Sequence, residues 1–425
     1  MNAKVSFDDI VRARADIRSG LYESPCPESL PLSELTGSHI FCKLDYLQRT
    51  GSFKERGARN ALINLLRSDP AAAKIGVVAA SAGNHALGLC YHGGLLGIPV
   101  TVVMPTTAPV IKVETCRRLG ANIELRGTTF LEAQTYALTL AGRDGLRFIP
   151  PFDDPHVIAG QGSMALEILE QVKDIDYIIV PVGGSGLIAA TCIVAHELDP
   201  NIKVIGVEPA NAASLRAAMR KEKPVSFDVR STIADGLAVA KVGAIGFEIT
   251  RPLLYKVVTV TEDQIALSIL RLAELEKSVV EGAGASTLAA VLSDKLPEIK
   301  GKRVVLSLTG GNIDPSMLCR VIERALVADG RLYRCKVLIS DRAGGLAEFT
   351  KIVASTGASI REVVHERAFA SVPGSFSTAE VHVVLETRNH AHIHQLQELL
   401  SKNGIKFLYT PSIGGTSFRK ALRKN

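Results

Sequence analysis

Residues Ile75–Pro105 read IGVVAASAGNHALGLCYHGGLLGIPVTVVMP. An apolar run (IGVVAA, 75–80) leads into a small-residue turn, a helical stretch from Asn84, and a second apolar run (VTVVMP, 100–105). A strand, a helix and a strand at this spacing make a βαβ unit. No Asp, Glu, Lys or Arg occurs from Ile75 to Ile111, nor from Tyr177 to Ala195. Both runs are long enough to cross a bilayer. The first, however, contains Gly93-Gly94, Pro99, Pro105 and Pro109, and the second contains Pro181 and Gly183-Gly184. Such breakers divide the runs into short strands and helices. The better reading is a parallel sheet buried on both faces, whose strands look continuously apolar, and no membrane association.

The same alternation continues outward. A helix through Lys112–Leu119 precedes NIEL (122–125), which precedes the helix TFLEAQTYALTLA. DYIIVPV (176–182) precedes GLIAATCIVAHEL, KVIGVE (203–208) precedes AASLRAAMRK, and RVVLSL (303–308) precedes PSMLCRVIERAL. The fold class is therefore α/β, with a mostly parallel sheet. After about residue 330 the rhythm changes. CKVLIS (335–340), the helix GLAEFTKIVASTG, IREVVHERAF, AEVHVVLET (379–387), the helix HIHQLQELLSKNG and IKFLY (405–409) read as β-α-β-β-α-β, a small ferredoxin-like domain. The expected boundary lies near Ala328-Asp329-Gly330, giving domains 1–328 and 329–411 and a basic tail over 412–425.

Composition narrows the function classes. The chain has 425 residues, 47% hydrophobic and 22% charged, which suits two or three globular domains. The formal charge of +6 includes the tail residues Arg419, Lys420, Arg423 and Lys424, so no nucleic-acid partner is expected. Seven scattered cysteines, without a CxxC pair, point to a reducing compartment and against a zinc ribbon. The N-terminus is charged throughout and shows no signal-peptide core, so a cytoplasmic location is expected.

Four short segments could carry chemistry. In Thr50-Gly51-Ser52-Phe53-Lys54-Glu55-Arg56-Gly57-Ala58 a lysine stands at a turn-to-helix junction. Such an amine can form a Schiff base with a carbonyl cofactor and later act as a base. A lone lysine there would more often be a solvated helix start. Ser81-Ala82-Gly83-Asn84-His85 follows a strand and opens a helix, presenting N–H groups and an amide to a carboxylate or phenolate oxygen. An ordinary Asn cap beside a buried His85 is the competing reading. Val182-Gly183-Gly184-Ser185-Gly186-Leu187 lets successive N–H groups surround a phosphate. It also fits the dinucleotide fingerprint, with Glu208 as the acidic ribose ligand about 20 residues on. Thr309, in Leu308-Thr309-Gly310-Gly311-Asn312, could hydrogen-bond a ring nitrogen or lie in a plain turn.

In order and spacing the four segments resemble the fold-type II pyridoxal phosphate (PLP) enzymes, and among them the threonine/serine dehydratases, or threonine ammonia-lyases. The likeness covers about residues 5–325. The remainder resembles an ACT domain, the small amino-acid-sensing module, with DRAGGLAEF (341–349) at its strand-to-helix turn. The resemblance implies a tryptophan synthase β-like fold of two open α/β subdomains, the smaller over about 55–155. It implies that Lys54 holds PLP covalently, with Phe53 packing at the cofactor and Asn84 meeting the ring O3′. Gly183, Gly184, Ser185, Gly186 and Leu187 would form the phosphate cup, and Thr309 would meet the pyridine nitrogen. Ser81, Ala82, Gly83, Asn84 and His85 would receive the substrate carboxylate. The implied reaction is β-elimination from L-threonine, and from L-serine, giving a 2-oxo acid and ammonia. Because a hydroxyl such as Thr309 does not stabilise a protonated pyridine nitrogen, prompt elimination is favoured over transamination.

Three departures from the family pattern stand out. Ser185 occupies a position that is most often glycine, and Thr309 one that is often serine. Serine racemases of the family place a second base where Ala82 stands, so racemisation is disfavoured. Of the racemase-type divalent site Glu208 is present, but the later acidic residue is replaced near Ser214, so no metal is expected. His390, His392 and His394 have poor ligand spacing. Glu281-Gly282-Ala283-Gly284-Ala285 serves either the site or packing, and Pro151-Phe152-Asp153-Asp154 reads as structural.

Three rival functions remain compatible with the sequence. One is a serine or 3-hydroxyaspartate dehydratase, or a serine racemase, of the same fold. Another is a nicotinamide oxidoreductase resting on GSGLIA and Glu208, and the last is a non-catalytic amino-acid-binding regulator. The expected partners are an amino-acid substrate, a small-molecule effector at the ACT domain, and further copies of the chain in a dimer or tetramer. Isoleucine biosynthesis and threonine catabolism are both compatible settings.

Overall fold

A computed structural model describes residues 5–367 and 377–408. The tail expected over 412–425, Tyr409 and the end of the ferredoxin-like stretch lie outside them. The chain divides between Asp314 and Pro315 into two compact units.

The first unit contains two parallel sheets. The larger runs in the spatial order His39–Lys43, Arg303–Ser307, Tyr177–Pro181, Lys203–Pro209 and Lys256–Val260, every neighbour parallel. The smaller runs Asn122–Leu125, Val100–Met104, Val77–Ala80 and Arg147–Phe148, again all parallel, and lies within the stretch 55–155. Tyr177–Pro181 and Val77–Ala80 are buried along their whole length, as strands covered by helices on both faces must be. Among the described residues no helix is long and apolar enough to cross a membrane. His39–Lys43, Arg147–Phe148 and Lys256–Val260 extend the sheets beyond the strands read from sequence.

Local chemistry sets the helices that frame the site. Asp154 caps Pro155–Gln171, its carboxylate accepting from the N–H groups of His156 (2.8 Å) and Val157 (3.0 Å). Asp153 accepts from Ala244 and Ile245 at 2.9 and 3.0 Å, capping Ala244–Leu253. The two neighbouring aspartates therefore start two different helices, a structural role, whereas Pro151 and Phe152 line the cavity that Lys54 enters.

Helix Lys54–Ser68 crosses Pro155–Gln171 at two glycines. A Cβ on Gly160 would lie 2.5 Å from the Arg56 carbonyl oxygen and 2.7 Å from Gly57 Cα. Arg56, the residue before Gly57, is wholly buried. Its guanidinium donates to Asp45 Oδ2 (2.7 Å) and Oδ1 (2.9 Å) and to Glu167 Oε1 (2.6 Å) and Oε2 (2.8 Å). Lys43 Nζ adds a bond to Glu167 Oε2 at 2.6 Å. Two cations and two carboxylates thus tie a strand and two helices together and fix where the helix carrying Lys54 begins.

The second unit contains helix Pro315–Ala328 and the pattern Leu332–Ser340, Gly345–Ser355, Ser359–Glu366, Thr378–Glu386, His390–Lys402 and Lys406–Leu408. Its sheet order, Ser359–Glu366, Thr378–Glu386, Leu332–Ser340 and Lys406–Leu408, is antiparallel throughout, the ferredoxin-like arrangement. One face carries Cys335, Val337, Ile339, Val381, Val383 and Leu385, which pack with Phe349, Val353, Leu396 and Leu400 of the helices. The division after Asp314 differs from the boundary expected near Ala328–Gly330. Pro315–Ala328 has an ordinary amphipathic period that gives no sign of which unit it joins, and it groups with the C-terminal one.

Candidate active site

A cavity enclosing about 570 Å³, open mouth included, is lined in the first unit by Phe53, Lys54, Asn84, Gly183–Leu187 and Thr309. Gln161, Phe152 and Glu281 also line it. Of the residues singled out from sequence, Ser81, Ala82, Gly83 and His85 do not line it. Ser81, Ala82 and Gly83 form the turn leading into Asn84, where Ser81 Oγ accepts from Gly83 N–H at 3.2 Å, and His85 follows in the helix.

Lys54 is the first residue of its helix. Its Nζ donates to the Pro151 carbonyl at 2.7 Å and lies 5.3 Å from the centre of the Phe53 ring. Burial lowers the amine to about 8, and the nearby Glu281 carboxylate pulls the other way. Burial thus shifts this lysine toward the neutral amine that a nucleophile or base requires.

Asn84 is held on both sides. Its Oδ1 accepts from Asn312 Nδ2 at 2.8 Å, and its Nδ2 donates to Glu281 Oε1 at 2.8 Å. Asn312 Nδ2 also donates to the Thr50 carbonyl at 2.6 Å, so one chain of amides joins three of the four segments. One Nδ2 hydrogen of Asn84 remains for another acceptor. The Thr309 carbonyl accepts from Phe53 N–H at 2.9 Å, a second tie between the Asn312 segment and the lysine turn.

The glycine loop is shaped by contact. A Cβ on Gly184 would fall 2.0 Å from Phe152 Cγ, and one on Gly186 would fall 2.7 Å from the Phe152 carbonyl oxygen. Only glycine lets Phe152 lie against the loop. Ser185 sits at φ +75°, in the left-handed region, which explains why glycine is usual there. The Ser185 hydroxyl is buried without a protein partner at the start of helix Gly186–Leu198. An orphaned hydroxyl and a side-chain-free loop at a helix N-terminus fit an anionic oxygen cluster such as a phosphate.

His85 faces elsewhere. Its Nε2–H donates to the Ile149 carbonyl at 3.0 Å, and burial, with the Lys54 charge, lowers the ring to about 3. It is a neutral packing residue, and only its backbone belongs to the turn. Glu208 is also occupied: its carboxylate accepts from Leu215 and Arg216 N–H at 2.6 and 2.9 Å, capping Ser214–Lys221. It does not line the cavity, which removes the ribose ligand from the dinucleotide reading. Among the described residues no group of three or more His, Cys, Asp or Glu could hold a metal ion.

Glu281, left open between site and packing on sequence, lines the cavity. It is 5% exposed, and burial pushes its carboxyl up to about 7. The available signal was a carboxylate placed directly before the apolar helix Gly282–Val291. Gln161 went unnoticed because its role is set by helix crossing: Gly57 N–H donates to Oε1 at 3.2 Å, which leaves Nε2 buried and unpartnered.

Residues 17–310 match the family model described as pyridoxal-phosphate dependent enzyme. The chain belongs to that family. This PLP-dependent enzyme is 41% identical over 400 residues to the L-threonine ammonia-lyase of Thermotoga maritima, covering 94% of this chain and 98% of the relative. It is similar to the processed form of threonine deaminase isoform 2 from Solanum lycopersicum, with TM-score 0.70, 39% identity, and 76% and 91% of the two chains covered. It is also similar to a serine racemase from Dictyostelium discoideum, with TM-score 0.69, 36% identity, and 73% and 100% covered. Fold type II and PLP dependence follow from this membership, and the nicotinamide reading is set aside.

Proposed function

We propose that the chain is an L-threonine ammonia-lyase that converts L-threonine to 2-oxobutanoate and ammonia by β-elimination, and that it also accepts L-serine. The observation that carries this reading is the gathering of Lys54, Asn84, Gly183–Leu187 and Thr309 around one cavity.

In this reading Lys54 binds the cofactor, the N–H groups and hydroxyl of Gly183–Leu187 hold its phosphate, and the free hydrogen on Asn84 Nδ2 meets its phenolic oxygen. Thr309 offers a hydroxyl rather than a charge to the ring nitrogen. When bound, pyridoxal phosphate supplies the electron sink that acidifies the substrate Cα–H. Lys54 Nζ, lowered by burial, takes that proton. By resemblance the turn Ser81–His85 receives the substrate carboxylate at the edge of the cavity, which Asn84 alone of these five residues lines, and so orients Cα toward Lys54. The proton taken from Cα balances the β-hydroxyl, which leaves as water, and the released enamine tautomerises to an imine that takes up water to give the 2-oxo acid and ammonia. Ala82 offers no group able to move a proton, which disfavours racemisation, although a racemase shares the fold.

The C-terminal βαββαβ unit is proposed to be an ACT module that binds an amino-acid effector, in a cytoplasmic homodimer or homotetramer. Effector control works there only through different affinities for two states. Sedimentation at micromolar concentration tests the assembly, and a monomer contradicts it. The function is tested by 2-oxo acid formation from L-threonine and L-serine by PLP-loaded protein. Product from threonine that vanishes in Lys54→Ala supports the reading. Cofactor absorbance without product from either amino acid moves the substrate to another β-substituted amino acid.

A further inference from the structure

Glu281 has more than a packing role. It lines the cavity with Lys54, is almost fully buried, and has its Oε1 fixed by Asn84 Nδ2 at 2.8 Å. Its own N–H donates to the Gly310 carbonyl at 2.9 Å, which anchors the backbone beside Thr309. A Cβ on Gly310 would lie 2.3 Å from Oε1, so the glycine after Thr309 is what gives this carboxylate its place. Helix Gly282–Val291, which Glu281 precedes, is apolar and mostly buried, and a carboxylate at its start needs a reason other than solubility.

We infer that Glu281 is a positioning residue that orients the Asn84 amide toward the cofactor oxygen and, through its charge, keeps a proton on the Lys54 nitrogen. The inference rests on the PLP reading of the cavity.

The charged neighbours agree with it. Lys54 and Glu281 interact electrostatically, the carboxylate raising the lysine against the effect of burial. Asp235 pushes the Glu281 carboxyl up and Lys112 pulls it down, while Lys112 Nζ itself bonds Asp235 at 3.2 Å. Because burial puts the carboxyl at about 7, its charge changes within the working pH range. Ionised Glu281 favours the protonated nitrogen. When Glu281 is neutral, that support is lost.

Glu281→Gln keeps an acceptor for Asn84 and removes the charge. Bound pyridoxal phosphate reports the proton on the Lys54 nitrogen through its visible absorbance, so the readout is a pH titration of the holoenzyme without substrate. The midpoint of the protonated band is expected to fall by about one pH unit in Glu281→Gln. Glu281→Asp, which keeps the charge one methylene further back, is expected to lie between the two. Loss of the band in Glu281→Gln with retention in Glu281→Asp supports the charge role as well. An unmoved midpoint in Glu281→Gln, or loss of the band in both variants, overturns it in favour of packing. A wild-type protein with no visible band contradicts the PLP assignment of the cavity itself. A wild-type band whose midpoint Glu281→Gln leaves unmoved contradicts this inference alone.

Discussion

Replacing Arg56 by methionine should destabilise the first unit far more than removing any surface arginine. The wild-type cluster balances Arg56 and Lys43 against Asp45 and Glu167, all buried. Methionine keeps much of the arginine's volume but removes one charge and five hydrogen bonds, four to the two carboxylates and one to Ser163 Oγ. Lys43 continues to serve Glu167 at 2.6 Å, while Asp45 keeps only the Ser24 hydroxyl. Breaking a buried pair from one side costs about 3–5 kcal/mol. The exposed pair Arg67–Asp16 provides the control, because a solvated pair contributes about 0–1 kcal/mol. The chain has no Trp, so unfolding in denaturant is followed by far-UV circular dichroism.

The pH dependence gives the test its sign. Burial pushes the Asp45 carboxyl up, but Arg56 and Lys43 hold it below the usual carboxylate range. The stability from this group is therefore present above its unfolded value and is lost as pH falls through the folded one. In Arg56→Met the buried carboxyl can relieve its charge by taking a proton, so the gap to wild type should narrow as pH drops below about 5. A loss under about 1 kcal/mol at pH 7, or a gap that widens in acid, would refute the claim that the cluster fixes the start of the Lys54 helix.

Other consequences are equally open to measurement. Gly160→Ala pushes a methyl group against the Arg56 carbonyl and Gly57, and should cost about 1–3 kcal/mol in denaturant midpoint. Ser185→Gly relieves a left-handed serine and an orphaned hydroxyl, so the cofactor-free protein should gain up to about 1 kcal/mol while its affinity for pyridoxal phosphate falls. A thiol reagent on native protein should label Cys319 quickly and the six buried cysteines only on unfolding.

Much of this architecture is legible because parallel strands buried on both faces must be apolar. The runs at 75–80, 100–105, 176–182 and 303–308 could hardly be anything else. The antiparallel C-terminal unit is equally readable, since core residues such as Val381, Val383 and Leu385 recur at every second position of its strands. His39–Lys43 escaped notice because Lys43 interrupts its apolar character, and that lysine is buried only because Glu167, 124 residues away, neutralises it. Arg147–Phe148 is two residues long, too short for any period.

In the site, residues carried by local motifs were found and those carried by tertiary contact were not. Lys54 and the glycine loop announce themselves through their neighbours in sequence. Gln161 depends on where two helices cross, and the side chain of His85 on a carbonyl at residue 149. The opposite assignments of His85 and Glu281 share a cause: the direction of a side chain at a helix start is decided by what packs above it.

The most direct test of the central claim is borohydride reduction of the PLP-loaded protein followed by peptide mapping. The account predicts a phosphopyridoxyl group on Lys54 and no stable label at the cavity of Lys54→Ala. A label on another lysine of the wild-type protein, with Lys54 unmodified, would contradict it.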